Sequence, residues 1–377
     1  MEKSLNKKVL FCATVQSHIK AFHLPYLKWF KQKGWEVHVA ASGSEELPLV
    51  DKYFDIQIMR SPYSKQNVNA FRELQNLIEE NKYDLIHCHT PMGSVLARLA
   101  ARKSRSRGTK VIYTAHGFHF YKGASILNWI MFYPIEKYLS RYTDHLITIN
   151  AEDYNLALRN KFKSKNIDKL NGVGIDLGKY KPVDITMKTI IRKKNRLDIG
   201  AYILFFAGEF SYRKNQKLLI EAVNILRKTI PNIKLLLAGE GDSKESCIKL
   251  TEKFKLGEIV EFLGYREDIN ELIQASDVIV SSSRQEGLPV NIIEGMACGK
   301  PSVVTDVRGN NDLILNEVNG LLVPLDSPDI MAKHIVNLYE NRELEAKMGL
   351  KSLEMVQSYS IENVISSMSK VYLKYMK

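Results

Sequence analysis

The chain has 377 residues, 45% hydrophobic and 25% charged, an ordinary globular balance that suits two or three domains. No apolar run approaches the roughly 18 residues of a membrane-spanning helix, and residues 1–8 are too short and polar for a secretory leader, so a cytoplasmic protein is expected. The net charge is +12 and uneven: residues 1–180 hold 27 Lys and Arg against 16 Asp and Glu, whereas residues 181–377 hold 27 against 26.

Short apolar runs alternate with helical patterns along the whole chain. Strands are expected at residues 9–13, 36–41, 55–59, 84–88, 110–115 and 145–149. A second set is expected at 202–207, 233–238, 259–263, 277–281 and 301–305, and after residue 325 the pattern is helical. Nearly continuous apolar strands separated by helices point to parallel sheets covered on both faces. Two such sets point to an α/β chain of two doubly wound domains. The boundary is expected between residues 177 and 200, where 179–184 reads as a turn-like exit and 190–196 as a polar, basic stretch. The expected division is 1–180, 181–360 and a last helical segment, 361–377.

The first strand runs into Ala13-Thr14-Val15-Gln16-Ser17-His18, with His23 close behind. These histidines suit an acceptor site or an ordinary loop and helix equally. In His87-Cys88-His89, strand alternation puts both imidazoles on one face. No third ligand is spaced nearby, so no metal is expected. Cys12, Cys88, Cys247 and Cys298 are scattered and lack zinc spacing, as in a reduced compartment. Arg102, Lys103, Arg105 and Arg107, and later Lys161, Lys163, Lys165 and Lys169, carry the excess charge. They would attract an anionic membrane or a pyrophosphate-linked lipid, and solvated helix ends would look the same. No nucleic-acid-binding motif accompanies them, so nucleic acid is not an expected partner.

His116 ends an apolar strand, where parallel α/β sheets bind ligands, and His119 follows; a histidine satisfied in a loop has the same local sequence. Residues 125–142 are apolar and aromatic, fit either to pack on a sheet or to dip into a membrane interface. Pro134 is expected to break or kink that helix.

In the second half, Arg213 and Lys214 stand just before a helix, where cations can stabilise a diphosphate leaving group. A surface helix start would also carry them. Gly239-Glu240-Gly241 follows a strand, but Lys244 stands where a dinucleotide fingerprint needs its third glycine, so a nicotinamide-dependent enzyme is not expected. Last, Ser281 to Pro301 contains two glutamates eight positions apart, Glu286 in a turn and Glu294 in a helix starting near Pro289. At about 1.5 Å per helical residue they stand roughly 10 Å apart, with a helix N-terminus between them for a diphosphate. Two solvated glutamates on a surface turn and helix are the plainer alternative.

That last segment resembles the E-x-x-x-x-x-x-x-E motif of family 4 glycosyltransferases, and the resemblance extends over essentially the whole chain. It implies the GT-B architecture, two Rossmann-like domains facing across a cleft, with a last helix at 361–376 crossing back to the first. It implies a hexosyltransferase moving a sugar, with retention, from a nucleotide-sugar, expected to be a UDP-sugar. On the matching positions, Glu294 would hold the ribose, Lys214 and Arg213 the diphosphate with help from Gly287, Leu288, Pro289 and Val290, and Glu286 the donor sugar. His116 would contact the sugar near the reacting carbon, and Gly239, Tyr265 and Arg266 would lie around the base. His18 and His119 are the acceptor candidates. No cofactor and no metal is implied, because the cations take the metal's part.

Three positions depart from the family pattern: Glu209 stands where an Arg is usual, Ala13-Thr14 where a Gly-Gly pair is common, and Arg308-Gly309 where Gly-Gly usually occurs. The first half, through 14–18, 87–93 and 114–120, resembles members from bacterial capsule and exopolysaccharide pathways. That implies a saccharide acceptor; with the basic first half, a polyprenyl-diphosphate-linked glycan and a peripheral membrane location are expected. A nucleotide-sugar epimerase and a non-catalytic nucleotide-sugar-binding protein share the architecture and remain alternatives.

Overall fold

The computed structural model describes residues 7–376. The polar start at residues 1–6 lies outside them. Thirteen strands are present among the described residues: β1 (Lys8–Val15), β2 (Glu36–Ser42), β3 (Lys52–Asp55), β4 (Leu85–His89), β5 (Lys110–Ala115), β6 (His145–Thr148), β7 (Asn166–Lys169), β8 (Tyr202–Ala207), β9 (Ile233–Ala238), β10 (Val260–Gly264), β11 (Val278–Ser281), β12 (Ser302–Thr305) and β13 (Gly320–Val323). They build two sheets, ordered β3-β2-β1-β4-β5-β6-β7 and β10-β9-β8-β11-β12-β13. Every pairing between them is parallel. In each sheet the strand order reverses beside the first strand of the set, the place where doubly wound sheets bind ligands.

The central strands lie where their apolar runs predict, because both faces of such a strand are covered. The edges do not. The strand expected at 55–59 is Lys52–Asp55, with both ends exposed. β7 has the same half-exposed pattern and no apolar run to announce it. β13, only four residues long, also closes an edge. An edge strand needs one paired side and little burial, so hydrophobicity marks it weakly.

Contacts divide the chain into two units, Met1–Gly174 with Ile361–Lys377, and Ile175–Ser360. In the first, one sheet face packs on the helices Gln66–Asn81 and Pro91–Ala100 through Leu74, Leu77, Ile78, Leu96 and Ala97. The other face packs Phe11, Val37 and Val39 against Leu27 and Phe30, and against Val364, Met368, Val371 and Tyr372 of the helix Ile361–Leu373. Each such fully buried apolar side chain contributes roughly 1.5–3 kcal/mol. In the second unit, β8, β9 and β11 pack against Leu218, Leu219, Val223, Met331 and Ile335.

Two local expectations change. The basic stretch at 190–196 lies largely in a helix, Ile185–Lys194, N-capped by the Asp184 side chain. Arg192 is buried in it, donating to Asp277 and to the carbonyls of Ala275, Ile199 and Ala201, so its charge is internal rather than a sign of a linker. The apolar helix Ile126–Leu139 runs through Pro134. Proline removes the hydrogen bond to the carbonyl four residues back, that of Ile130. Both residues are exposed, so water can serve that carbonyl. All four cysteines are buried and free.

Candidate functional site

In the second unit the polar residues converge at the C-terminal ends of β8 and β11. After β8 the chain turns through Ser211 to Asn215, which takes a left-handed φ of 53° before the helix Gln216–Leu226. That turn is fastened to the exit of β11: Arg284 N–H donates to the Arg213 carbonyl at 2.8 Å, and Ser282 Oγ to the Lys214 carbonyl at 2.9 Å. The two sequence-distant segments thus bring Lys214 Nζ to 2.6 Å from Glu286 Oε1, and Arg213 to 3.2 Å from Oε2.

Glu286 is 5% exposed. Burial would push its carboxyl up, but Lys214, Arg213 and a bond from Ser283 together hold it below the usual range. From below, Arg308 Nε donates to the Glu286 carbonyl. Gly309 (φ +82°) approaches so closely that a Cβ would lie 2.7 Å from the Gly287 carbonyl oxygen. Arg308 is therefore a buried support of the Glu286 turn, a role its place in the sequence does not announce.

The helix expected near Pro289 is Val290–Ala297, with Pro289 at its N-cap. Its first internal bonds run from Ile292 and Ile293 to the Pro289 carbonyl, so the preceding turn at 287–290 presents a helix start. Asn291 Nδ2 ties this helix to the end of β8 through the Ala207 carbonyl. Glu294, further along, is the reverse of Glu286: burial raises its carboxyl to about 7, partly opposed by a bond from Tyr180 and by Lys179. Tyr180 is a partner the sequence gave no reason to single out, being 114 positions away.

Gly239 and Gly241 serve packing: a Cβ on either would meet the Gly208 or Phe210 carbonyl at 2.1 and 2.3 Å. Gly239 N–H also donates to the Gly264 carbonyl. Tyr265 beside it is 77% exposed, while Arg266 is engaged by Asp268 and Asn195. Glu209 is exposed, and its carbonyl accepts from Gln216.

In the first unit the corresponding strand ends carry histidines. Eight of the chain's nine lie in residues 1–180. His18 Nε2 lies 3.3 Å from His116 Nε2, which lies 3.4 Å from His89 Nδ1. His23 stacks on His89 with centroids 3.8 Å apart. His18 and His116 are half-buried, His23 and His89 fully buried. Burial lowers all four below the ordinary imidazole range, His18 to about 4. His87 is separate: Tyr372 and Thr114 hydroxyls occupy its two nitrogens at 2.7 and 2.8 Å.

At the Ala13-Thr14 departure the close neighbour is Gly93. Gly93, in the first turn of Pro91–Ala100, sits so near that its Cβ would lie 2.7 Å from the Ala13 and Thr14 backbone. Thr14 Oγ1 accepts from the Gly93 N–H and meets Thr90 Oγ1 at 2.8 Å. Beside these loops lies a cavity of about 780 Å³, lined by Met92, Leu96, Leu99, Phe132 and Arg60 and bordered by His18 and His119. The adjacent helix keeps Ile126, Leu127 and Ile130 exposed, while Trp129, Phe132 and Tyr133 pack inward. One face of that helix therefore packs on the core while the other stays exposed. No helix among the described residues is long and apolar enough to cross a membrane.

Two family models match the chain: "Glycosyl transferase 4-like" over residues 8–150 and "Glycosyl transferases group 1" over 187–354. The chain is 46% identical to the "Putative glycosyltransferase EpsD" of Bacillus subtilis (strain 168), across 99% of this chain and 98% of that one. It is 25% identical to the Escherichia coli UDP-Gal:alpha-D-GlcNAc-diphosphoundecaprenol alpha-1,3-galactosyltransferase, over 87% of each. Among solved structures, Anabaena HepE in complex with UDP and glucose superposes with a TM-score of 0.81 at 19% identity, covering 98% of this chain and 100% of that one.

Proposed function

Because the chain belongs to the family 4 glycosyltransferases of GT-B fold, enzymes that draw on nucleotide-sugars, we propose that it transfers a hexose, with retention, from a UDP-sugar to a polyprenyl-diphosphate-linked saccharide. The observation that carries this is the buried Glu286 carboxylate clasped by Lys214 and Arg213 at a helix start, with Glu294 further along the same helix.

In this reading Lys214 and Arg213 leave part of their charge for the donor diphosphate and stabilise what develops on the departing phosphate. The helix start at 287–290 supplies N–H groups to the same oxygens. Glu286, kept ionised, accepts from hydroxyls of the donor sugar. Glu294 accepts from the ribose hydroxyls, which requires that it give up its proton on binding. His116 contacts the sugar near its reacting carbon, a role that rests on the resemblance. The acceptor hydroxyl attacks from the face that the phosphate leaves, and a phosphate oxygen takes its proton. Charge supplied by the two cations makes a donor-bound metal unnecessary.

The acceptor half of the proposal draws on the apolar cavity beside Arg60 and on the excess of Lys and Arg in residues 1–180. It also draws on two relatives named for diphospho-undecaprenol acceptors, one from Escherichia coli and one from Campylobacter jejuni. The basic residues would hold the protein at an anionic membrane face, an attraction that salt should weaken.

Thermal stabilisation by UDP, GDP, ADP, dTDP and NAD, with and without EDTA, tests the donor half. Ligand at 100 times its Kd should stabilise by about 2.7 kcal/mol. Selective, EDTA-insensitive stabilisation by UDP that disappears in Glu294→Ala is expected; stabilisation by NAD alone would overturn the reading. Radiolabelled transfer from UDP-sugars to a short-chain polyprenyl-diphosphate saccharide then tests the acceptor half, and turnover of donor with no acceptor present would reveal an epimerase instead.

A further inference from the structure

We infer that His18, His23, His89 and His116 form a binding site for a divalent cation of the zinc class. One ligand nitrogen from each lies within 4.8 Å of all the others, and three separate chain segments bring them together: the helix Gln16–Phe22 with its C-cap His23, the end of β4, and the residue after β5. Zinc held by imidazoles at about 2.0–2.1 Å in a tetrahedron sets its ligand nitrogens roughly 3.3–3.4 Å apart. The His18–His116 and His116–His89 separations, 3.3 and 3.4 Å, already match two edges of that figure. The wider ones, up to 4.8 Å, would close by ring rotation on binding.

The second observation is independent of these distances. Both ring nitrogens of His23, and Nε2 of His89, are buried without a hydrogen-bond partner. Buried polar atoms ordinarily find one, and His87, on the same strand as His89, does so twice. A cation in the cluster supplies a partner to one nitrogen of the buried His23; on His89 it would take Nδ1, the nitrogen that faces His116, and not Nε2. An all-imidazole set favours zinc, copper, nickel or cobalt over magnesium or calcium, which prefer oxygen. The half-buried His18 and His116 give the ion a way in, His18 from the wall of the apolar cavity.

The sequence pattern hides this set because His87-Cys88-His89 has no further ligand nearby in the chain. The binding claim stands apart from the transferase reading. A consequence does rest on that reading: an ion on His116 Nε2 withdraws it from the donor sugar, so zinc at the site inhibits transfer.

The test uses the tag-free full chain, stripped with EDTA, in equilibrium dialysis against Zn(II), with Co(II) as a visible-absorption probe. We expect one equivalent bound at micromolar zinc, and intense visible Co(II) bands of tetrahedral character that zinc abolishes. His18→Gln and His23→Gln should each weaken zinc binding at least tenfold, while His334→Gln, in the other unit, should leave it unchanged. Melting curves accompany each variant. Should His23→Gln fail to fold, the half-buried His18→Gln decides alone. Absence of stoichiometric binding, or binding undiminished in His18→Gln, overturns the site. Either result leaves the transfer assay free to succeed or fail by itself.

Discussion

At the C-terminal ends of β8 and β11 a carboxylate is clasped by two cations; at the C-terminal ends of β4 and β5 imidazoles rest against imidazoles. Both groups sit at the ligand-binding edge of a buried parallel sheet, and both are largely withdrawn from water. The second unit keeps its polar groups charged by pairing them, whereas the first keeps them neutral. Pairing makes each member depend on its partner's charge. Neutral packing makes each depend only on shape and hydrogen bonds.

The sharpest way to break this contrast is to remove one charge. Lys214→Met leaves Glu286 buried beside the weaker, half-exposed Arg213. We expect kcat/KM to fall by about 10²–10³, the usual effect of losing a group that stabilises the developing charge. A melting experiment should also show a loss on the order of 3 kcal/mol from the broken buried pair. Unchanged turnover would remove Lys214 from the donor site.

Glu286→Gln tests the other partner. Turnover should drop about 100-fold, yet UDP should bind at least as tightly as to the wild type, because Lys214 and Arg213 are released to face the diphosphate. Weaker UDP binding, measured by calorimetry, would mean that the carboxylate holds the cations in place and does not restrain them.

On the neutral side, His87→Leu strips the Tyr372 and Thr114 hydroxyls of a shared partner. The expected loss is about 1–3 kcal/mol, the range for stranding buried polar groups. Because the group is already neutral, burial having lowered it to about 3, that loss should be the same at pH 7 and pH 9.

The smallest effect is the pH response of Glu294. Its carboxyl is raised to about 7 from an ordinary 4.5, so the folded state holds a proton that the unfolded chain has released. The stability this brings is complete below about pH 4.5 and is lost as pH rises through 7. Without ligand, Glu294→Gln should therefore melt a few degrees higher than wild type at pH 8, with the gap narrowing toward pH 5. UDP affinity should rise with pH through 7 in the wild type and stay flat in the variant. A pH-independent gap would place the effect in packing.

How much of this was legible in the sequence follows the same physics. Central strands such as Tyr202–Ala207 and Ile233–Ala238 declare themselves through continuous apolar runs. The edges Lys52–Asp55 and Asn166–Lys169 do not, since half their surface needs no burial. The helix start at Pro289 and the place of both glutamates were readable because turn and helix signals are local. The clasp on Glu286 was not, because Lys214 comes 72 positions earlier and meets it only after Arg284 and Ser282 fasten the two loops. The histidine cluster was hidden for the same reason, its members arriving from three segments. Arg192 read as linker charge because composition records that a cation is present and not that carbonyls surround it.

The return of Ile361–Leu373 to the first unit fixes an order of assembly. Residues 175–360 form an uninterrupted piece, complete when the ribosome has made them. The earlier piece is still missing Val364, Met368, Val371 and Tyr372, which cover Phe11, Phe30 and Val37. During synthesis that face of the N-terminal sheet, packed on one part by Leu27 and Phe30, must therefore wait for residues 361–373 to complete its cover. Cutting the gene after residue 360 would leave the second unit whole and its elder neighbour unfinished.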